Sequence, residues 1–515
     1  MLAAVIKTLK PLFVIISRIY CALVCYLFTF IYHFSSKEVI SAPQNKLLTI
    51  SATRAAEMIR NREITSLSLV EAYIRRIKEV NGTINAAVQM NFKEALIKAQ
   101  EIDEMLGSLD TNSENLKNLD KKKPLLGVPF TVKDSIEVDG LCCTIGISYR
   151  KNSISNKDAT VIQRMKNAGA ILLAVTNVPE VCMWWESANV VYGRTRNPYD
   201  SRRISGGSSG GEAALISAAG SVIGIGSDIA GSIRMPCYFN GVFGLKPTPG
   251  VIPLEGHLPH PSGYRVEKML LIGPICRYAE DLSILLRVFV GNEGTNLLNL
   301  DTPCNIKKIR VFYMEGLKTP LVQDMSKEVF QTLKKENPPL VHHALEFFLT
   351  SMDVANAPKF AMHMTDLKAN INCFVEFFKW LVGKSVHTLP AIVTGIIDEH
   401  FAPFNEEQKQ KLRSQRDRLS REVKELLSDN GILLFPSFPT EAPYHHQPLF
   451  TPLNFAYTAL WNVLALPAVQ CPMGLNSHDI PLGVQAIGAP GSDSLLIAVA
   501  QDLEKGFGGW EPINI

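Results

Sequence analysis

A chain of 515 residues, 46% hydrophobic and 20% charged, has enough apolar material for one large core or for several average domains. Its formal net charge of +3 gives no electrostatic case for binding nucleic acid, which calls for a concentrated basic face. Ten cysteines form no C-x-x-C pair, so a metal cluster or dithiol redox chemistry has little support and most of them read as small buried thiols.

The chain opens with Lys7 and Lys10 and then runs apolar from Pro11 to Phe34, "PLFVIISRIYCALVCYLFTFIYHF", broken only by Arg18 and His33. That length suffices to cross a hydrocarbon core of about 30 Å, and no small-residue cleavage site follows it. The expectation is a short segment 1–10, a transmembrane signal-anchor over 11–34, a polar linker over 35–48 and one catalytic body from 49 to 510. Three cations lie before or within the span and Lys37 alone directly after it, which favours a cytoplasmic N-terminus and a lumenal body on an endomembrane. Asn81-Gly82-Thr83 would then be a glycosylation acceptor triplet.

Beyond the linker, Ser51 can cap one helix, and Ser68 with Glu71 has capping-box spacing for a second, "LSLVEAYIRRIKEV". A polar stretch from Ser108 to Lys123 reads as a surface loop. "GVPFTVKDSI" follows, a buried strand running into a loop at Lys133. Residues 158–176 read as helix, a stop at Gly169, then strand, and "EAALISAAG" with "SVIGIGSDI" repeats helix then strand. This βα alternation predicts an α/β fold. Between about 300 and 400 the pattern loosens into a variable helical region. There Phe374, Phe377, Phe378 and Leu381 share a helical spacing beside Trp380, as expected first of a helix packed on the core and second of an apolar lid or membrane-facing patch. Strands and short helices return in "GILLFPSFPTEAP", "NFAYTALWNVLALPAVQCP" and "PLGVQAIGAP".

Two serine-rich stretches carry the candidate chemistry. "SGGSSGGEAALISAAG", from Ser205, runs directly into a small apolar helix, which a flexible linker does not do. It lacks the Gly-Lys-Ser/Thr ending of a phosphate loop, and Gly224-x-Gly226 lacks the third glycine of a dinucleotide fingerprint. Gly207 to Gly211 satisfies G-x-S-x-G around Ser209, yet a polar, proline-containing segment precedes it where a nucleophile elbow needs a strand, and nothing in the spacing ties His445 or His446 to it. "SDIAGSIRMP" presents Ser232 after a small-residue turn with no histidine or cysteine beside it. A partly desolvated Lys133, at the end of its strand, is the remaining candidate base, because desolvation lowers a lysine pKa.

Taken together, "GVPFTVKDSI", "GGSSGGEAAL" and "SDIAGSIRMP" resemble the amidase signature family of serine hydrolases, with Lys133, Ser208 and Ser232 at the intervals that family's pattern requires. The resemblance extends over roughly residues 50–510, and the N-terminal anchor, "SIRMPCYFNGVFGLKPTPGVIP" and "EKGFGGW" are similar to its fatty-acid amide hydrolase branch. It implies a single large α/β/α domain with a central twisted mixed sheet flanked by helices, beside the N-terminal transmembrane helix. It also implies a Ser–cisSer–Lys triad: Ser232 as nucleophile, Ser208 as relay on a cis peptide, and neutral Lys133 as base. The backbone amides of Ile229, Ala230, Gly231 and Ser232 would form the oxyanion hole, Ser209 would orient Lys133, and Asp228 with Arg234 would brace the turn as an ion pair. The family commonly has Gly where this chain has Ala230, a costly change if position 230 needs a positive φ. The implied function is hydrolysis of lipid amides such as primary fatty amides and N-acylethanolamines at a membrane, with no cofactor, metal or nucleic acid and with room for a homodimer. The alternatives are an amidase or esterase of another substrate, a glutamine-hydrolysing amidotransferase subunit, and a non-catalytic lipid-binding protein.

Overall fold

The computed structural model describes residues 2–110, 114, 118–260, 264–302, 304–317, 322, 334–335, 340–354 and 356–513. Parts of the Ser108–Lys123 stretch and of the 300–400 region therefore lie outside the described residues. The strands are β1 (Ala87–Met90), β2 (Pro129–Lys133), β3 (Ile171–Thr176), β4 (Ala188–Asn189), β5 (Gly193–Arg194), β6 (Ile223–Asp228), β7 (Phe243–Lys246), β8 (Leu271–Cys276), β9 (Arg310–Tyr313), β10 (Lys334–Lys335), β11 (Gly431–Pro436), β12 (Ala468–Leu475) and β13 (Pro481–Ile487). All but the β4–β5 pair join one mixed sheet of 11 strands in the order β1-β3-β2-β6-β8-β7-β12-β13-β11-β9-β10. This is the α/β/α architecture expected from the sequence, and helices cover the sheet so that β2, β3, β6 and β8 are buried along their whole length. Most of the cysteines are buried free thiols.

Two parallel neighbours matter for function. β2 pairs with β6 in parallel, Val132 opposite Ile225, so both strands deliver their carboxyl ends, at Lys133 and Asp228, to the same edge of the sheet. In open α/β sheets that edge is where ligands bind. β8 runs antiparallel to β6, and the helix Gly210–Ser217, entirely buried, packs behind β6.

Local details depart from expectation in three places. Ser51 caps its helix as expected, accepting from Arg54 N at 3.1 Å. The next helix, Ser66–Ile84, begins earlier than Ser68 and is capped by Thr65, whose Oγ accepts from Ser68 N at 3.0 Å, while the Asp103 carboxylate takes the N–H groups of Ser66 and Leu67. Asn81 lies within that helix with its amide committed: Nδ2 donates to Ala87 O and Oδ1 accepts from Ala86 N and Ala87 N. A glycan at that nitrogen would cost the helix its C-terminal lock. The helix Cys373–Leu381 packs on a core cluster through Cys373 and Phe377, as the packed-helix expectation had it, and turns Phe374, Phe378 and Leu381 outward as an exposed apolar face.

At the other end, one helix spans Leu2–His33, and its stretch Ile15–His33 is long and apolar enough to cross a membrane. Ser17, Cys21, Val24 and Phe28, spaced on one face, are buried against the body, while Tyr20 and Tyr32 hydroxyls donate to Phe450 O and His445 O.

Candidate active site

The β2 end brings Lys133 into a site with no exposure to solvent. Its Nζ lies 2.7 Å from Ser208 Oγ, 2.9 Å from Ser227 Oγ and 3.4 Å from Ser227 O. Burial pushes its pKa down to about 8, against the opposing pull of Cys182, Asp228 and Glu212. Two of those neighbours carry little charge near neutrality. Burial drives the Cys182 thiol up to about 12 and the Glu212 carboxyl up to about 8, despite the Thr131 and Thr176 hydroxyls that donate to Glu212. The adjacent Asp134 is likewise pushed up to about 7 by burial, against hydrogen bonds from Thr144. Of Cys182, Asp228 and Glu212, only Asp228 stays fully charged, and it is shared with Arg234, so burial outweighs the pull that would keep Lys133 protonated.

Ser208 enters through the turn Ser205–Ser209, where the Gly207–Ser208 peptide bond is cis. Gly207 is required by close approach: a Cβ there would stand 2.6 Å from Trp184 O. The following residue, Ser209, donates its backbone N–H to Ser232 O at 3.1 Å, which ties the Ser208 turn to the Ser232 turn. Its hydroxyl engages Ser227 O at 3.3 Å and Ser227 N at 3.4 Å. Ser209 therefore reaches Lys133 only through Ser227, and the hydroxyl that directly faces the lysine beside Ser208 is that of Ser227.

Ser232 sits in the turn between β6 and the helix Arg234–Asn240. Asp228 organises this turn. Its carboxylate accepts from Gly231 N at 2.7 Å and Ile233 N at 3.1 Å, and from Arg234 Nε and Nη2, both at 3.0 Å. Burial opposes the charge on Asp228, but Arg234 overcomes it and holds the carboxyl well below the usual range. Asn462 and Gln485 complete the network, so every member of this buried pair is satisfied. The expected four-donor oxyanion hole is corrected in one member: the Gly231 N–H already belongs to Asp228. The N–H groups of Ile229, Ala230 and Ser232 meet no acceptor among the described residues.

The Ala230 question has a direct answer in the backbone. Positive φ falls on Gly231, at 120°, and not on Ala230. A Cβ at position 231 would also overlap Thr458 Oγ1, which donates to Ala230 O at 2.6 Å. Glycine is kept where conformation and space demand it, and the alanine methyl belongs to the apolar cluster under the site.

The competing histidines lie elsewhere. His445 is held by Glu186 and Ser201 O, and His446 by Arg194, with no hydrogen bond from either to Ser209. Sequence reasoning missed Ser227, whose signal was its place at the end of a strand beside Asp228. It also missed His257, Thr458 and Asn462, which arrive from distant segments and had no local signal.

A family profile described as amidase matches residues 68–497. The chain is similar to fatty-acid amide hydrolase 2 of Homo sapiens, with 41% identity over 485 residues that cover 90% of each chain. Fatty-acid amide hydrolase 2-A of Danio rerio is 41% identical over 491 residues, again 90% of each. Among solved structures, one described as fatty acid amide hydrolase superposes with a TM-score of 0.70 at 22% identity, covering 90% of this chain and 86% of its own, a likeness of fold.

Proposed function

This chain belongs to the amidase signature family, hydrolases of amide carbon–nitrogen bonds, and from that premise we propose that it is a membrane-anchored serine amidase of fatty-acid amides. The observation that carries the reading is the contact of 2.7 Å between Ser208 Oγ and a wholly buried Lys133. In this reading neutral Lys133 draws the proton of Ser208, which takes that of Ser232 as its oxygen attacks the amide carbonyl. The oxyanion that forms turns toward the N–H groups of Ile229, Ala230 and Ser232, donors that cost no reorganisation because the turn is already pinned by Asp228 and Thr458. Collapse of the tetrahedral intermediate needs a proton on the departing nitrogen; Ser208 gives up the one it took from Ser232 and recovers its own from protonated Lys133. Water then repeats the sequence on the Ser232 ester and releases the fatty acid.

A lipid amide substrate is supported by the names of the 41% relatives and by two apolar surfaces, the Ile15–His33 helix and the outward face of Cys373–Leu381. On this reading residues 11–34 anchor the protein, residues 49–510 form the catalytic body, and the cations before and within the span put that body on the lumenal side. The test uses the full chain in detergent. Ser232→Ala is expected to lose both labelling by a fluorophosphonate probe and hydrolysis of primary fatty amides and N-acylethanolamines. Retained activity in that variant overturns the mechanism, and wild-type turnover of glutamine in place of the lipid amides overturns the substrate class.

A further inference from the structure

His257 is buried beside the site without belonging to the proposed triad. Two backbone bonds fix the segment around it to the chain just past Lys133: Glu137 N donates to Gly256 O and Leu258 N to Ser135 O, both at 2.8 Å. The imidazole Nε2 lies 2.9 Å from Ser227 Oγ and 3.4 Å from Ser135 Oγ. Its other nitrogen, Nδ1, meets no hydrogen-bond partner among the described residues. Burial first, and then the charge of Lys133, push its pKa down to about 3, so the ring is neutral. The hydroxyls of Ser227 and Ser135 each have one proton to give, and the tautomer with its proton on Nδ1, the one taken in the proposal below, presents Nε2 to them as an acceptor.

We propose that His257 is a positioning residue that acts on Lys133 through Ser227, by holding the Ser227 proton away from the lysine. A hydroxyl has one proton and two lone pairs. With its proton on His257, Ser227 Oγ can only accept from the amine at 2.9 Å, and Ser227 O, at 3.4 Å, can only accept as well. A neutral amine has two N–H bonds and one lone pair. Both N–H bonds are then directed to Ser227, and the lone pair is left for Ser208 at 2.7 Å. Without the imidazole, the Ser227 hydroxyl is free to turn its proton onto that lone pair and compete with Ser208 for it.

This inference rests on the Lys133–Ser208–Ser232 reading, and the experiment separates the two. The second-order rate of fluorophosphonate labelling and the kcat and KM for a long-chain primary amide are measured on the full chain. His257→Phe is expected to lower labelling and kcat by about 10- to 100-fold, with KM moving by less than about twofold. His257→Gln, whose carbonyl oxygen can accept the Ser227 proton, is expected to recover most of that loss. In a Ser227→Ala background His257→Phe should cost less than about threefold more, because its effect passes through that hydroxyl. His257→Leu repeats the measurement if the phenyl ring prevents folding. A Phe or Leu variant within about threefold of wild type, a folded Gln variant as slow as Phe, or full additivity with Ser227→Ala overturns the positioning role. Lys133→Met and Ser208→Ala in the same assay read the triad itself: if they stay active, that reading fails; if they are silent while His257→Phe is fast, only the role of His257 fails.

Discussion

The site around Lys133 and the helix Cys373–Leu381 with its flanks invert the usual partition of side chains in opposite directions. The first buries a lysine, four serines, an aspartate and an arginine. The second leaves Phe378, Val382 and Phe401 between 62% and 67% exposed. Burying a polar group without a partner costs several kcal/mol, so the first region is tolerable only because its groups satisfy one another. Lys133 has three oxygens and Asp228 has Arg234, Asn462 and two backbone N–H groups. No comparable internal compensation exists for an apolar face in water, and its remedy is a partner of the same polarity.

Breaking the polar region is expected to have the largest effect. Lys133→Met should fold, since it replaces a buried amine by an apolar chain of similar length, and should lower kcat for a long-chain amide by about three orders of magnitude or more. On the proposed mechanism the same residue should set the pH dependence of the wild type. Only the neutral amine can accept a proton, and burial pulls its pKa down to about 8, so kcat/KM should rise with pH and reach half of its plateau near that value. A rate that is flat from pH 6 to pH 10 would remove Lys133 as the base.

Breaking the apolar region should act on substrate capture and not on chemistry. Phe378→Ser combined with Val382→Ser removes apolar area worth about 1.5 kcal/mol or more against lipid. It should raise KM for a vesicle-borne long-chain amide by roughly tenfold while fluorophosphonate labelling in detergent keeps its rate. An unchanged KM on vesicles would mean that the face meets something other than membrane. The smallest effect belongs to the boundary between the two regions. Ala230→Gly is expected to lose about 0.5 kcal/mol of stability through the unfolded chain, read as a small fall in Tm, and to bring no gain in kcat. A faster Ala230→Gly enzyme would show that the methyl obstructs the oxyanion site after all.

Lys133, Ser208 and Ser232 were legible through the resemblance of three motifs taken together, since a lysine at a strand end or a serine in a glycine-rich turn is by itself no signal of chemistry. The bracing pair Asp228 and Arg234 was readable for the same reason, six residues apart on one turn. The partners of Ser209 and Gly231, Ser227 and the Asp228 carboxylate, were not legible, because the directions of a hydroxyl and a carboxylate are encoded in no sequence spacing. His257 was invisible, since its place beside Ser227 depends on an isolated antiparallel bridge between Ile136 and His257. The outward face of Cys373–Leu381 was ambiguous because an apolar stripe has the same period whether it meets a core or a membrane.

The sequence by itself therefore determined the kind of fold and the apolar N-terminal helix, which follow from periodicity and length, properties of short stretches of chain. The candidate site residues came from three motifs read together as a resemblance. Tertiary structure alone decided which amides remain free to meet an oxyanion, which hydroxyl faces the lysine and which helix face stays bare. Those are relations between groups from separate segments, fixed only when the parallel ends of β2 and β6 come side by side and the loops around them compete for the same few donors and acceptors.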